Sequence, residues 1–123
     1  MAIQLIDLGR EVKYIDIKAD KVPYSFSVKL EDQTYFLTIK YNFMGEFYTI
    51  DLRASNGSIL AYGEPIRYGK ALFDGIEDER FPLPVIVPAC LTGDTIDAVT
   101  EDNLGISVRF YLHERRVAEY HSG

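Results

Sequence analysis

Hydrophobic and polar positions alternate most regularly between residues 24 and 63. In YSFSVKL, Phe26, Val28 and Leu30 point one way and Ser25, Ser27 and Lys29 the other, which is the two-residue period of a half-buried strand. TYFLTIKYN repeats the pattern, with Tyr35, Leu37, Ile39 and Tyr41 on one face and Thr34, Phe36, Thr38 and Lys40 opposite. EFYTIDLRA sets Tyr48, Ile50 and Leu52 against Phe47, Thr49, Asp51 and Arg53, and ILAYG closes the series. Turn chemistry separates the runs: EDQ; NFMG, in which Asn42 and Gly45 are the residues able to take positive φ; and SNGS, whose Asn56-Gly57 pair is a strong hairpin signal. The reading is a four-strand antiparallel meander over 24–63.

The flanks are looser. Ile3, Leu5 and Leu8 fit one side of a short strand, and Val12, Tyr14 (or Ile15) and Ile17 alternate with Lys13, Asp16 and Lys18, so residues 1–20 read as N-terminal strands. After Gly63 a crossing segment with Pro, Gly and acids carries apolar anchors at Ile66, Leu72, Phe73 and Ile76, with room for one helical turn. VIVPACL is a strand that Pro88 confines to a sheet edge or a bulge. A polar loop follows, with a brief strand near Ile96–Val99. GISVRFYLHE then places Ile106, Val108, Phe110 and Leu112 inward and Ser107, Arg109 and Tyr111 outward. Residues 113–123 read as a tail or a short helix. Roughly seven to nine short strands without a linker predict an all-β chain, a single-domain antiparallel β-sandwich or small barrel over 1–123.

Composition supports this picture. The chain has 123 residues, enough to bury a core without staples. Its 47% apolar and 26% charged content excludes a disordered chain, and nine Tyr and seven Phe with no Trp suit pleated surfaces. A net charge of −6, with Arg115-Arg116 flanked by Glu114 and Glu119, argues against sequence-specific nucleic-acid binding. No apolar run is long enough for a membrane span, and the first residues lack the basic start and apolar core of a signal peptide, so folding in the cytoplasm is expected.

The search for chemistry returns little. Asp74, Glu77, Asp78 and Glu79 are dense enough to suggest Ca²⁺, but their spacing departs from a calcium loop, and a solvated loop accounts for them. Asp94, Asp97, Glu101 and Asp102 read as turn formers rather than as the flanking carboxylates of a glycosidase. His113 and His121 have no third ligand at zinc spacing, and Cys90 sits among Val87, Pro88, Ala89 and Leu91 as a packed thiol. The expectation is no enzyme, no cofactor and no metal. What remains are aromatics on the faces opposite the core stripe. Phe36, Phe47 and Tyr111, with Phe43 in a turn and Arg109 alongside, form the expected contact set, by alternation alone. Burial of both strand faces in a second core layer is the competing explanation of the same pattern.

FSVKLEDQTYFLTIKYN, MGEFYTIDL, SNGSILAYGEPIRYGKAL and DNLGISVRFYL, in that order and spacing, resemble the phage baseplate plug family across Phe26–Leu72 and Asp102–Leu112. Where that family usually carries Trp, after the Asn turn, this chain has Phe47-Tyr48. The resemblance implies a structural, non-catalytic part at the distal end of a contractile tail. It would contact tail tube, hub or spike proteins of the same virion or further copies of itself, assembling in the host bacterial cytoplasm and residing in the baseplate. A different class of reading is a small β-sandwich ligand- or glycan-binding module, whose exposed Tyr and Phe would stack on sugar rings. A hydrolase using Asp74 or Glu77 with Asp94 ranks third.

Overall fold

The computed structural model of the chain describes residues 3–7, 11–91 and 95–113. Eight strands run in chain order: β1 (Ile3–Asp7), β2 (Glu11–Ile15), β3 (Tyr24–Leu30), β4 (Gln33–Asn42), β5 (Phe47–Ala54), β6 (Ile59–Pro65), β7 (Val85–Ala89) and β8 (Arg109–His113). They form two four-stranded antiparallel sheets, β1-β2-β8-β7 and the meander β3-β4-β5-β6. Both sheets are open, so the molecule is a β-sandwich and not a closed barrel.

The meander follows the alternation residue for residue. Val28, Leu30, Tyr35, Leu37, Ile39, Tyr48, Ile50 and Leu52 are buried, and they share one cluster with Ile15, Ile86 and Phe110 of the facing sheet. The inner rows of two pleated sheets therefore make the core between them. Ile15, not Tyr14, is the inward residue of β2, and Ile17 continues its stripe.

The turns depart from expectation in conformation, not in place. Leu30 pairs with Gln33, so β3 and β4 are joined by two residues, Glu31 (φ 51°) and Asp32 (φ 70°), both left-handed. That geometry matches the strand twist, although acids replace the usual Asn-Gly. At Asn56-Gly57 only Gly57 is left-handed (φ 91°); its amide donates to the Ala54 carbonyl at 2.9 Å, and the Ala54 amide donates to the Ser58 carbonyl at 2.9 Å. This is a three-residue loop with a bulge rather than a two-residue turn. In the β4–β5 turn the positive φ falls on Glu46 (58°), not on Asn42 or Gly45. Gly45 is there for space, because a Cβ at that position would run into the Phe47 ring.

Pro88 lies on β7, an edge strand, as its missing N–H requires. The crossing segment lies along that edge: the Gly69 amide donates to the Pro88 carbonyl at 2.7 Å and the Leu72 amide to the Ile86 carbonyl at 2.8 Å. This segment has no helical turn; among the described residues the one short helical piece is a 3-10 turn at Ala19–Lys21. Ile66, Leu72 and Phe73 are buried anchors, whereas Ile76 is exposed and Phe81 takes its place in the core. Residues 96–99 form no strand. The chain instead coils around Asn103, whose side chain accepts from the Thr100 amide (2.8 Å) and donates to the Ala98 carbonyl (2.9 Å). Ile106 sits in this turn before β8 begins and is exposed, which corrects its inward assignment; Val108 and Phe110 are buried as expected. Leu8, Asp94 and the tail after His113 lie outside the described residues.

Candidate contact surface

The outer face of the meander is organised around one carboxylate. Ser25, Thr38 and Asp51 lie in a row across β3, β4 and β5, and the hydroxyls of Ser25 and Thr38 are 2.6 Å apart. The β5–β6 pairing shifts register between Ile50 and Leu52, which brings Gly63 (φ 71°) opposite Asp51. The Gly63 amide donates to Asp51 Oδ1 at 2.8 Å, and Lys40 Nζ lies 2.9 Å from Asp51 Oδ2. Asp51 is only 6% exposed although it faces outward, so its charge needs both partners. Lys40 also sits 3.9 Å from the centroid of the Tyr62 ring.

Hydrogen bonding to Tyr62, then to Asp51, raises the Lys40 pKa above its ordinary 10.5. A raised folded-state pKa contributes stability that is complete below 10.5 and is lost as pH climbs through the folded value. The lock therefore holds at neutral pH. An Asp51→Ala change strands the Gly63 amide and uncouples Lys40, and is expected to lower stability by about 1–3 kcal/mol. Urea unfolding checks this; a midpoint unchanged from the parent would mean that the carboxylate holds nothing.

Apolar groups surround this lock. Phe36 is 38% exposed and pairs across the sheet with Arg53, which pairs in turn with exposed Ile59. Phe47 is half-buried beneath the Arg67 guanidinium, 4.3 Å from its ring centroid. At the β4–β5 turn Phe43 is 82% exposed, with the Tyr41 ring edge-on at 5.0 Å, and Met44 is 97% exposed.

Arg109 and Tyr111, the remaining members of the expected contact set, lie elsewhere. They belong to β8, and the Tyr14↔Tyr111 pair adjoins the core pair Ile15↔Phe110, so they face away from the core on the other sheet. Tyr111 points outward as the alternation predicts but is 3% exposed, and burial pushes its hydroxyl pKa up. Its ring meets Tyr14 edge-on at 5.8 Å, and the Arg109 guanidinium lies 4.6 Å from the Tyr14 ring centroid. The five residues are thus divided between the two outer faces. Sequence reasoning missed the Asp51–Lys40–Tyr62 lock, because an acid in mid-strand looks like any solvated position. It also passed over Met44, although two large apolar residues in one turn were a readable signal.

The acidic segment behaves as a loop: Asp78 Oδ2 accepts from Arg80 at 2.7 Å, and those hydrogen bonds hold the Asp78 carboxyl down at about 2. Among the described residues no group of three His, Cys, Asp or Glu is placed to hold a metal ion. Cys90 is half-buried. One cavity, of about 420 Å³, is lined by Glu64, Pro65, Arg67, Lys70 and Asp74, none of them aromatic.

A family model described as cyanophage baseplate Pam3 plug gp18 matches residues 12–115. That match reaches back over most of β2 and forward past β8, further in both directions than Phe26–Leu72 and Asp102–Leu112. No curated protein gives a significant match.

Proposed function

The chain belongs to the phage baseplate plug family, and on that premise we propose that it is a non-enzymatic structural part at the distal end of the tail tube, held against tube, hub or spike proteins of the same virion. The family match across residues 12–115 is the observation that carries this reading. The surface agrees with it in kind. Phe36, Phe43 and Phe47 on the meander supply the contact face, whereas on the opposite sheet Tyr111 is covered by its own chain and Arg109 is half-buried beside Tyr14. Exposed aromatic side chains are the usual anchors of contacts between proteins. Assembly would begin in the host bacterial cytoplasm.

Purified tail particles from cells carrying the gene provide the test. Quantitative mass spectrometry should find the chain at a fixed number of copies per particle, with cross-links to another tail protein. Its buried interface should exceed about 1,000 Å². Particles that lack the chain would overturn the proposal. Light scattering after size exclusion, over a wide concentration range, separates self-assembly from dependence on a partner: a discrete oligomer indicates contacts between copies, and a monomer throughout assigns the contacts to other proteins.

A further inference from the structure

Phe43 and Met44 are the most exposed large apolar side chains among the described residues, at 82% and 97%, yet the turn that presents them is tightly built. The Asn42 carbonyl accepts from the Glu46 amide at 2.7 Å, and Asn42 Oδ1 accepts from the Gly45 amide at 2.9 Å. The Tyr41 ring supports Phe43 edge-on, and Gly45 packs so closely under the Phe47 ring that a Cβ there would push the ring aside. Glu46 is held at φ 58°, a conformation that non-glycine residues avoid. Apart from the Tyr41–Phe43 contact, a strained turn that holds two apolar groups out in water brings the isolated chain little packing in return. It does, however, present a knob whose shape is set before binding, so that little ordering entropy is lost on docking.

We infer that the Phe43-Met44 tip seats in an apolar pocket, rimmed by basic residues, on a different protein of the baseplate. This rests on the proposed function above. A second copy of the chain, at formal net charge −6, is a poor receiver for a tip that carries Glu46, and neither of two cavities lined by described residues fits it. Its apolar dent, lined by Leu72, Phe73, Ile76, Phe81, Pro82, Pro84 and Ile86, holds about 10 Å³, room for one water and not for a phenyl ring. Its 420 Å³ groove is lined by Glu64, Arg67, Lys70 and Asp74, the wrong chemistry for Phe and Met. The basic rim follows from charge. Glu46 is on the tip itself, and Glu101 and Asp102 act on the hydroxyl of Tyr48, the residue paired with Tyr41 at the base of the turn. Of the cations near that base, Arg67 lies over the Phe47 ring and Lys40 is paired with Asp51. A complementary pocket carries Lys or Arg at its edge.

The test replaces the gene with a Phe43→Ser, Met44→Ser double variant and counts copies per purified tail particle, with thermal midpoints measured on the isolated chain. Incorporation is expected to fall by about tenfold or more, with the midpoint within about 2 °C of the parent, as exposed positions allow. Glu46→Lys should also reduce incorporation. A photo-reactive phenylalanine analogue at position 43 should cross-link to an apolar, Lys- or Arg-bearing segment of another tail protein. Wild-type incorporation of the double variant, adducts confined to other copies of this chain, or a midpoint loss like that of a core variant would each overturn the inference. If the wild-type chain is itself absent from particles, the proposed function fails first. If the wild-type chain is present and the variant is equally so, the inference alone fails.

Discussion

A Phe110→Ala variant should lose about 3–5 kcal/mol of stability. Phe110, on β8, is fully buried, paired with Ile15 on one side and Pro88 on the other. It also belongs to the cluster that joins both sheets. Truncation removes the transfer free energy of the ring and leaves a cavity that three backbone-bonded strands cannot collapse to fill. A domain of this size holds a net of about 5–15 kcal/mol, so one side chain represents a large share. Urea unfolding should show a lower midpoint with an unchanged slope. A loss below about 1 kcal/mol would mean that the sheets do not share this core. Phe36→Ala, at a partly exposed outer position, should stay within about 1 kcal/mol of the parent. The pair therefore separates folding from contact: Phe110→Ala should impair assembly through instability, whereas any effect of Phe36→Ala on assembly must come from the surface.

Gly105→Ala should be nearly as damaging, by about 3 kcal/mol or more, although it adds only a methyl group. Gly105 has φ 83°, and a Cβ there would collide with the Ile17 carbonyl. Neither side can yield easily. The Gly105 amide donates to the Val108 carbonyl at 2.7 Å, between the buried residues Leu104 and Val108, and Ile17 is itself in the core. Gly57→Ala provides the comparison, since φ is similar at 91° but nothing lies within 4 Å of its Cβ position. It should lose about 1–2 kcal/mol from conformation alone. The difference between the two thermal midpoints measures the close approach; equal losses would show that backbone conformation, and not contact with Ile17, explains both.

The meander was readable because its signal is local. Leu37, Ile39, Ile50 and Leu52 alternate with polar residues, and only one phase of a two-residue period can face a core. Pro88 was readable in part for the same reason: a residue without an N–H belongs at an edge or a bulge, and the structure makes β7 an edge. The resemblance carried by the same strands led to the family that the match over 12–115 establishes.

Less was readable where a residue's environment is made by distant chain. Tyr14 and Ile15 offered two phases for β2, and pairing of Ile15 with Phe110 decided between them. Ile76 and Phe81 are both apolar residues in one irregular segment, and which of them enters the core depends on how that segment lies along β7. Alternation placed Tyr111 outward, but the period says nothing of what covers an outer face, and there Tyr111 is buried while Phe43 is open.

By itself, then, the sequence determined the strand positions of the meander, the inward rows of β3, β4 and β5, the restriction of the Pro88 strand to an edge or a bulge, and the family. All of these rest on periodicity and turn chemistry within a few residues. The tertiary structure alone decided that the two open sheets stack as a sandwich and that Asp51 is locked by Lys40 and Gly63 across a register shift. It also decided that Gly105 lies against Ile17, and that the expected contact residues are divided between two outer faces. The physical reason is the same in each case: burial, ion pairing and steric room are set by residues far apart in the chain, and no local pattern encodes which of them will meet.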